Sequence, residues 1–394
     1  MDGSFFKVIG ISNTDMDIKS FAKKSGVSSA CLKYFNENEI IPSGKQLDKI
    51  LDTAKLSYPE FLLRYKKVNA EILDALCKHS REIYNIIKHD IAVNKEKCKK
   101  PEIALQTEYG QLYHGDCLNL LDNIPSESVD LVFADPPFNL DKIYPSGIDD
   151  NLKHKEYIDW CKAWLGECVR ILKDGGSLFL WNLPKWNSYL ASFLNERLSF
   201  RHWIAVDIKN GLPISGRLYP SHYSLLYYSK GDKPNTFHPD RLSMDTCPKC
   251  YGDLKDYGGY KDKMNPLGIN ITDVWYDIPP VRHQKYKRRK GANELSIKLL
   301  DRIIEMASNE NDVVFDPFGG SGTTYIVSEI KKRKWIGIDI GGIDCIIERF
   351  NNVSIERELL NSMRQKFNCL FTEEVKRKRK QKDLWTCDSF AEKL

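Results

Sequence analysis

Asp135-Pro136-Pro137-Phe138 is the stretch whose residue types and order point most directly to chemistry. A carboxylate is followed by two prolines, which hold φ near the ring value and remove two N–H donors, and then by an aromatic ring. Asp135 and the carbonyl of Pro136 can each accept one hydrogen of an exocyclic amino group, while Phe138 stacks on the heterocycle that carries it. Held this way, the amine nitrogen keeps its lone pair free for an electrophile. Taken alone, the same residues also read as a plain strand-end turn. The preceding run, Val129 to Ala134, is apolar and β-branched and short enough for a buried strand, so the tetrapeptide is expected at that strand's carboxyl end.

A second stretch, Val313-Val314-Phe315-Asp316-Pro317-Phe318-Gly319-Gly320-Ser321-Gly322-Thr323-Thr324, reads as strand, glycine-rich turn and helix start. Glycines there let backbone approach a ligand at the mouth of a parallel sheet. A further strand, Lys334 to Asp339, ends in an acid, the position at which nucleotide folds hold ribose hydroxyls. The turn lacks the lysine of a phosphate-binding loop. An adenosine-containing cofactor without a pyrophosphate is therefore expected on Asp316, Phe318, Gly319, Gly320, Ser321, Gly322, Thr323 and Asp339.

With both stretches in hand, residues 109 to 350 resemble the S-adenosylmethionine-dependent amino-methyltransferases of DNA. The likeness is to the permuted β group, whose catalytic tetrapeptide precedes the cofactor turn. Asp135 to Phe138 match the catalytic motif and Phe315 to Thr324 the cofactor motif. The resemblance implies S-adenosylmethionine as cofactor and direct methyl transfer to an exocyclic amine of a base taken out of the stack of double-stranded DNA. Asp at the head of the tetrapeptide implies adenine; cytosine N4 is the alternative. Catalytic roles fall on Asp135, Pro136, Pro137 and Phe138. The resemblance also places Asp116 and Cys117 near the cofactor's adenine, and brings Asp135 against the cofactor. Where relatives carry a Lys-Pro pair this chain has Gly291 to Glu294, with Asn293 as the substitute, and Gly341 and Gly342 replace bulkier residues after Asp339. No Pro-Cys pair stands at a strand end, which separates the chain from ring-carbon methylation. A DNA-binding regulator that senses cofactor without turnover is a different class of reading, and the intact tetrapeptide speaks against it. The resemblance makes double-stranded DNA the partner and admits a cognate restriction endonuclease, as in restriction-modification.

These motifs need a scaffold. Strands and helices alternate from residue 111 onward, which implies an α/β fold with a doubly wound, mostly parallel sheet, Rossmann-like in the resembled family. The expected division is a helix-turn-helix module at 1–57, a long helix and linker at 58–100, a catalytic domain at 101–350 with a target-recognition insertion at 234–292, and a C-terminal helix and basic tail at 351–394. In the small all-α module, helix, Gly26 turn and a helix capped by Ser28 are similar to phage-repressor domains, which would put Ser29, Ala30, Lys33 and Asn36 near base edges. Along 58–90, Leu62, Tyr65, Asn69, Ile72, Leu76, His79, Ile83 and Ile86 recur at steps of three and four, predicting a coiled-coil seam and a homodimer.

Composition narrows the classes further. The 394 residues are 42% hydrophobic and 29% charged with a net charge of +5, ordinary globular material. Basic clusters at Lys285, Lys287, Arg288 and Arg289, and at Lys376 to Lys380, suit DNA phosphates. The tail beyond Phe371 is expected to be mobile. No run is apolar enough to span a membrane and no signal-peptide core opens the chain, so a cytoplasmic protein with no membrane contact is expected. Eleven cysteines, an odd number, read as reduced thiols. Cys247 and Cys250 have the spacing of half a zinc site, but no second pair completes it, and no metal is assigned.

Overall fold

In a computed structural model, the chain divides into two compact units, Met1–Glu96 and Lys97–Leu394. The structure describes residues 5–38, 41–42, 44–65, 69–91, 100–140, 151–208, 215–216, 218–255, 263–279, 294–341 and 343–388.

The first unit is helical: α1 (Phe5–Val8), α2 (Asp15–Ser25), α3 (Ser29–Asn38), α4 (Gly44–Ala54), α5 (Tyr58–Arg64), α6 (Ala70–Lys78) and α7 (Ser80–Ile91). Thr14 caps α2, Gly26 ends it at φ +69°, and the Ser28 hydroxyl accepts the Cys31 N–H at the start of α3. Phe5, Ile18, Phe21, Val27, Leu32, Phe35 and Ile50 share a core with Phe61, Leu62 and Tyr65. The module thus extends past 57, because α5 supplies part of its apolar centre. The single long helix expected over 58–90 is also corrected. Asn69 turns its side chain onto the Ile72 N–H as the N-cap of α6, and His79 ends that helix. A capping side chain ends a helix where apolar spacing alone would continue it. The coiled-coil seam is therefore broken, although Leu73, Ile86 and Ile87 stay exposed on the two later helices.

The second unit contains β1 (Glu102–Gln106), β2 (Gly110–His114), β3 (Val129–Ala134), β4 (Leu172–Asn182), β5 (Ser199–Asp207), β6 (His222–Ser229), β7 (Arg241–Leu242), β8 (Ile269–Asn270), β9 (Val274–Trp275), β10 (Val313–Asp316) and β11 (Lys334–Asp339). Its helices are α8 (Cys117–Leu121), α9 (His154–Ile171), α10 (Pro184–Asn195), α11 (Ile297–Ala307), α12 (Thr323–Ile330), α13 (Ile343–Asn351), α14 (Val353–Arg364) and α15 (Glu373–Lys380). The main sheet runs β1-β2-β11-β10-β3-β4-β6-β5-β9. From β2 to β4 every pairing is parallel, and β6 is antiparallel to both β4 and β5. Both faces are covered. On β3, Val132 and Ala134 pack with α8, α9 and α10, while Leu131 and Phe133 pack with α11 and α12. A strand buried on both faces has to be apolar throughout, which is why 129–134 reads as a continuous run. The β5–β6 pair does not close the sheet, since β9 adds to β5.

The basic tail is another correction. Residues 373–380 form α15, and Arg379 is 0% exposed. Its guanidinium donates to the carbonyls of Tyr251 and Trp385, pairs with Asp253, and lies over the rings of Phe371 and Trp385. A charge with this many partners stays buried; one in a free tail would be solvated. No helix among the described residues is long and apolar enough to cross a membrane.

Candidate active site

Strand order locates the site. From β10 the chain crosses through α12 to β11 on one side, and from β3 it crosses through α9 to β4 on the other. The order therefore reverses between β10 and β3, which pair in parallel with Phe315 opposite Val132. Ligands of open α/β sheets bind in the crevice at such a point, outside the carboxyl ends of the strands. The two motifs, about 180 residues apart in the chain, both leave the sheet there.

The catalytic turn is half-buried at Asp135, buried at Pro136 and Phe138, and left-handed at Asn139, with φ +52°. The Asn139 amide holds both backbone groups of Leu152 at 2.8 Å. Phe138 is 8% exposed, its ring 5.9 Å from that of Tyr223.

The cofactor turn is held from below. Asp316 is 2% exposed; its carboxylate accepts the Phe318 N–H at 2.9 Å and the Thr324 hydroxyl at 2.5 Å. Asp339 accepts the N–H groups of Gly320 and Gly341, each at 2.8 Å. Gly322 sits at φ +73°, and a Cβ there would come within 2.7 Å of Ile346 Cγ2, so this position is closed to side chains on two counts. Ser321 and Thr323 are buried, and Thr323 Oγ1 accepts from Arg349 at 2.8 Å while donating to the Leu295 carbonyl. Phe318 packs edge-on against Trp164 at 4.9 Å. Asp316, Ser321 and Thr323 thus shape the turn from inside.

Burial pushes the Asp316 carboxyl up to about 7; hydrogen bonds from Thr324 and Phe318 oppose this, and the nearby Asp339 charge adds to it. Between about pH 4 and 7 the folded protein therefore holds a proton that the unfolded chain has already released, so this group's contribution to stability falls as pH rises through that window. Asp316→Asn should flatten that part of the profile and gain relative stability at pH 8, read as urea midpoints from pH 5 to 8. Parallel profiles for the two proteins would refute the assignment.

Four adjacent parallel strands, β2, β11, β10 and β3, each end in or lead to an acid: Asp116, Asp339, Asp316 and Asp135. At a strand spacing of roughly 4.8 Å this row follows the crevice edge. With Asp316 buried behind it, the edge that Asp116, Asp339 and Asp135 form, with no cation in the glycine turn, suits a positively charged, phosphate-free adenosine compound, and S-adenosylmethionine, with its sulfonium and ammonium, fits it. Asp116 caps α8 through the Leu118 N–H at 2.8 Å. The Cys117 thiol lies in the core, where burial raises its pKa, so only its backbone is left for a ligand. Asn293, Lys285, Lys287, Arg288 and Arg289 lie outside the described residues. Cys247 and Cys250 occupy a knuckle closed by the Tyr251 N–H on the Cys247 carbonyl, and no metal-binding group of three or more His, Cys, Asp or Glu occurs among the described residues. In the first unit Ala30 is exposed and Ser29 half-buried; Lys33 pairs with Asp15 at 2.8 Å and Asn36 accepts the Phe6 N–H. Those last two side chains already have partners within the module.

The chain is similar to known proteins over much of its length. The family described as DNA methylase matches residues 129–342. Type II methyltransferase M.BamHI of Bacillus amyloliquefaciens is 47% identical over 380 residues, 96% of this chain and 90% of the relative. DNA adenine methyltransferase YhdJ of Escherichia coli (strain K12) is 33% identical over 232 residues, 58% of this chain and 78% of the relative. A solved PvuII DNA methyltransferase (cytosine-N4-specific) aligns at a TM-score of 0.47 and 20% identity, over 67% of this chain and 96% of that one. With the family match spanning both turns and the first relative matching along nearly its whole length, the chain belongs to the DNA methylase family.

Proposed function

We propose that this DNA methyltransferase, with S-adenosylmethionine as methyl donor, works by holding an exocyclic amine of a flipped base on Asp135 and the Pro136 carbonyl. The observation that supports this most is the pairing of β10 with β3, which sets the cofactor turn beside the catalytic turn. The cofactor, when bound, supplies an electrophilic methyl group on its sulfonium. The chain's own part is positioning: Asp135 and Pro136 accept the two amine hydrogens and Phe138 offers ring surface to the base. Asp339 would take the ribose hydroxyls with lone pairs that Gly320 and Gly341 leave over, beside the backbone of Gly319, Gly320 and Gly322, with Asn293 toward the amino-acid end. Adenine is the base expected from Asp135 at the head of the tetrapeptide. Cytosine N4 presents the same pair of hydrogens to the same acceptors. The test is methylation of DNA with isotopically labelled cofactor, followed by mass analysis of the nucleosides. N6-methyladenine or N4-methylcytosine supports the reading and names the base; label that never enters DNA refutes it.

The two helices α2 and α3, joined at Gly26, support a helix-turn-helix reading in which the first unit meets DNA through Ser29, Ala30, Lys33 and Asn36, with Lys285, Lys287, Arg288 and Arg289 adding phosphate contacts. Lys33 would exchange Asp15 for a phosphate, an exposed pair of small worth. Deleting residues 1–96 should weaken DNA binding while leaving methyl transfer at saturating DNA; unchanged affinity would remove that role. A cognate endonuclease and a cytoplasmic site of action complete the proposal. So does a homodimer, which sedimentation near twice 45.5 kDa would support and sedimentation as a monomer would refute.

A further inference from the structure

Two helices donate to the two carbonyls that follow Pro136, and a strand end holds one of the donors. The Tyr157 hydroxyl, from the first turn of α9, donates to the Pro137 carbonyl at 2.6 Å. The Trp186 indole N–H, from the first turn of α10, donates to the Phe138 carbonyl at 2.6 Å. Asn182, the last residue of β4, donates its amide N–H to the Tyr157 oxygen at 3.0 Å and accepts the Leu183 N–H at 2.7 Å. The Tyr157 and Trp186 rings pack on one another, 4.6 Å between centroids, and all three residues are at most 3% exposed. Tyr157 lies in a helix whose apolar stripe reads as core, yet its polar tip is spent on the catalytic turn.

We infer that Tyr157, Asn182 and Trp186 are positioning residues for methyl transfer: they fix the peptide planes after Pro137, and so anchor the turn from which the Pro136 carbonyl and Asp135 receive the target amine. This rests on the reading of Asp135 and Pro136 as the acceptors of that amine. The prolines limit φ at 136 and 137, and Pro137 restricts ψ at 136, so the Pro136 carbonyl is rigid relative to the ring after it; ψ at 137 and both dihedrals at Phe138, which set how that rigid piece sits, are free unless the next carbonyls are captured. A neighbouring helix could satisfy these carbonyls with any donor. What this arrangement adds is a rigid one: two ring donors, locked against each other, with the phenol's own lone pair held by a strand end. In-line transfer is sensitive to misplacement on the ångström scale, at about a hundredfold per ångström.

Tyr157→Phe and Trp186→Phe each remove one donor and keep a ring. Each should lower the single-turnover methylation rate about 10- to 100-fold, with cofactor affinity, DNA affinity and the fluorescence signal of a flipped 2-aminopurine at the target unchanged. A role in stability alone would lower the melting temperature without this selective loss in rate. Asp135→Ala is run alongside, and with Tyr157→Phe as a double variant. If both groups act through the amine, the double variant loses no more than Asp135→Ala alone. Should Tyr157→Phe fail to fold, Trp186→Phe carries the measurement. Wild-type rates in a folded Phe variant, with Asp135→Ala inactive, overturn this inference only; a fully active Asp135→Ala overturns the amine-holding reading beneath it.

Discussion

Asp135→Ala is expected to lower methyl transfer by at least about a hundred- to a thousandfold, the scale seen when one preorganised polar group is removed from an active site. Cofactor affinity should change little, because the glycine turn and Asp339 are untouched. The side chain stands at the end of β3, next to a turn whose later carbonyls are already tied to Tyr157 and Trp186. Phe138 offers an internal comparison. Because it is 8% exposed and packed toward Tyr223, Phe138→Ala removes both stacking surface and core volume, while Phe138→Trp or Phe138→Tyr keeps an aromatic face. Activity should therefore survive an aromatic replacement better than alanine. Rates measured under saturating cofactor and DNA, with isothermal titration of the cofactor, check both statements. An Asp135→Ala enzyme retaining a tenth of wild-type turnover would be incompatible with the proposed holding role.

Arg349→Met is expected to be the most damaging change away from the catalytic turn. The Arg349 side chain is 1% exposed and meets Glu356, 4% exposed, through Nε at 3.0 Å and Nη2 at 3.3 Å. Its Nη1 reaches the Ser321 carbonyl at 3.1 Å and Thr323 Oγ1 at 2.8 Å, so the same guanidinium ties α13 to α14 and both to the cofactor turn. Deleting one partner of a buried ion pair costs about 3–5 kcal/mol, since the remaining charge stays desolvated. Removing the Glu356 charge as well, in Arg349→Met with Glu356→Leu, should recover most of that stability. Cofactor affinity should not recover with it, because the turn has still lost its two donated hydrogens. Urea unfolding and cofactor titration on the same two variants separate the effects. If Arg349→Met unfolds within about 1 kcal/mol of wild type, the pair is not the support described here.

Arg349 also shows where reading the chain by itself stops. A lone arginine in an amphipathic helix reads as solvated surface, and nothing local says that Ser321 and Glu356 will surround it. The same holds for Arg379, one of five consecutive basic residues and the buried one, and for Tyr157 and Trp186, whose rings look like core and whose polar tips serve the catalytic turn. Asn69 and His79 sit at coiled-coil spacing, yet the Asn69 side chain takes a backbone N–H and starts a new helix. Periodicity records which face is apolar and is blind to that local competition for hydrogen bonds. What the residues determined alone is what depends on backbone within a few positions: the strand and proline turn at 129–138, the glycine turn at 316–322, the acid at 339, and the Gly26 corner at φ +69°. Proline limits φ and glycine permits positive φ wherever they stand, so these features survive any tertiary context. Which strands lie side by side is decided by the burial of both sheet faces under two helix layers and by right-handed crossovers. That packing alone brings Asp135 beside the turn after Asp316, and turns two separate motifs into one crevice.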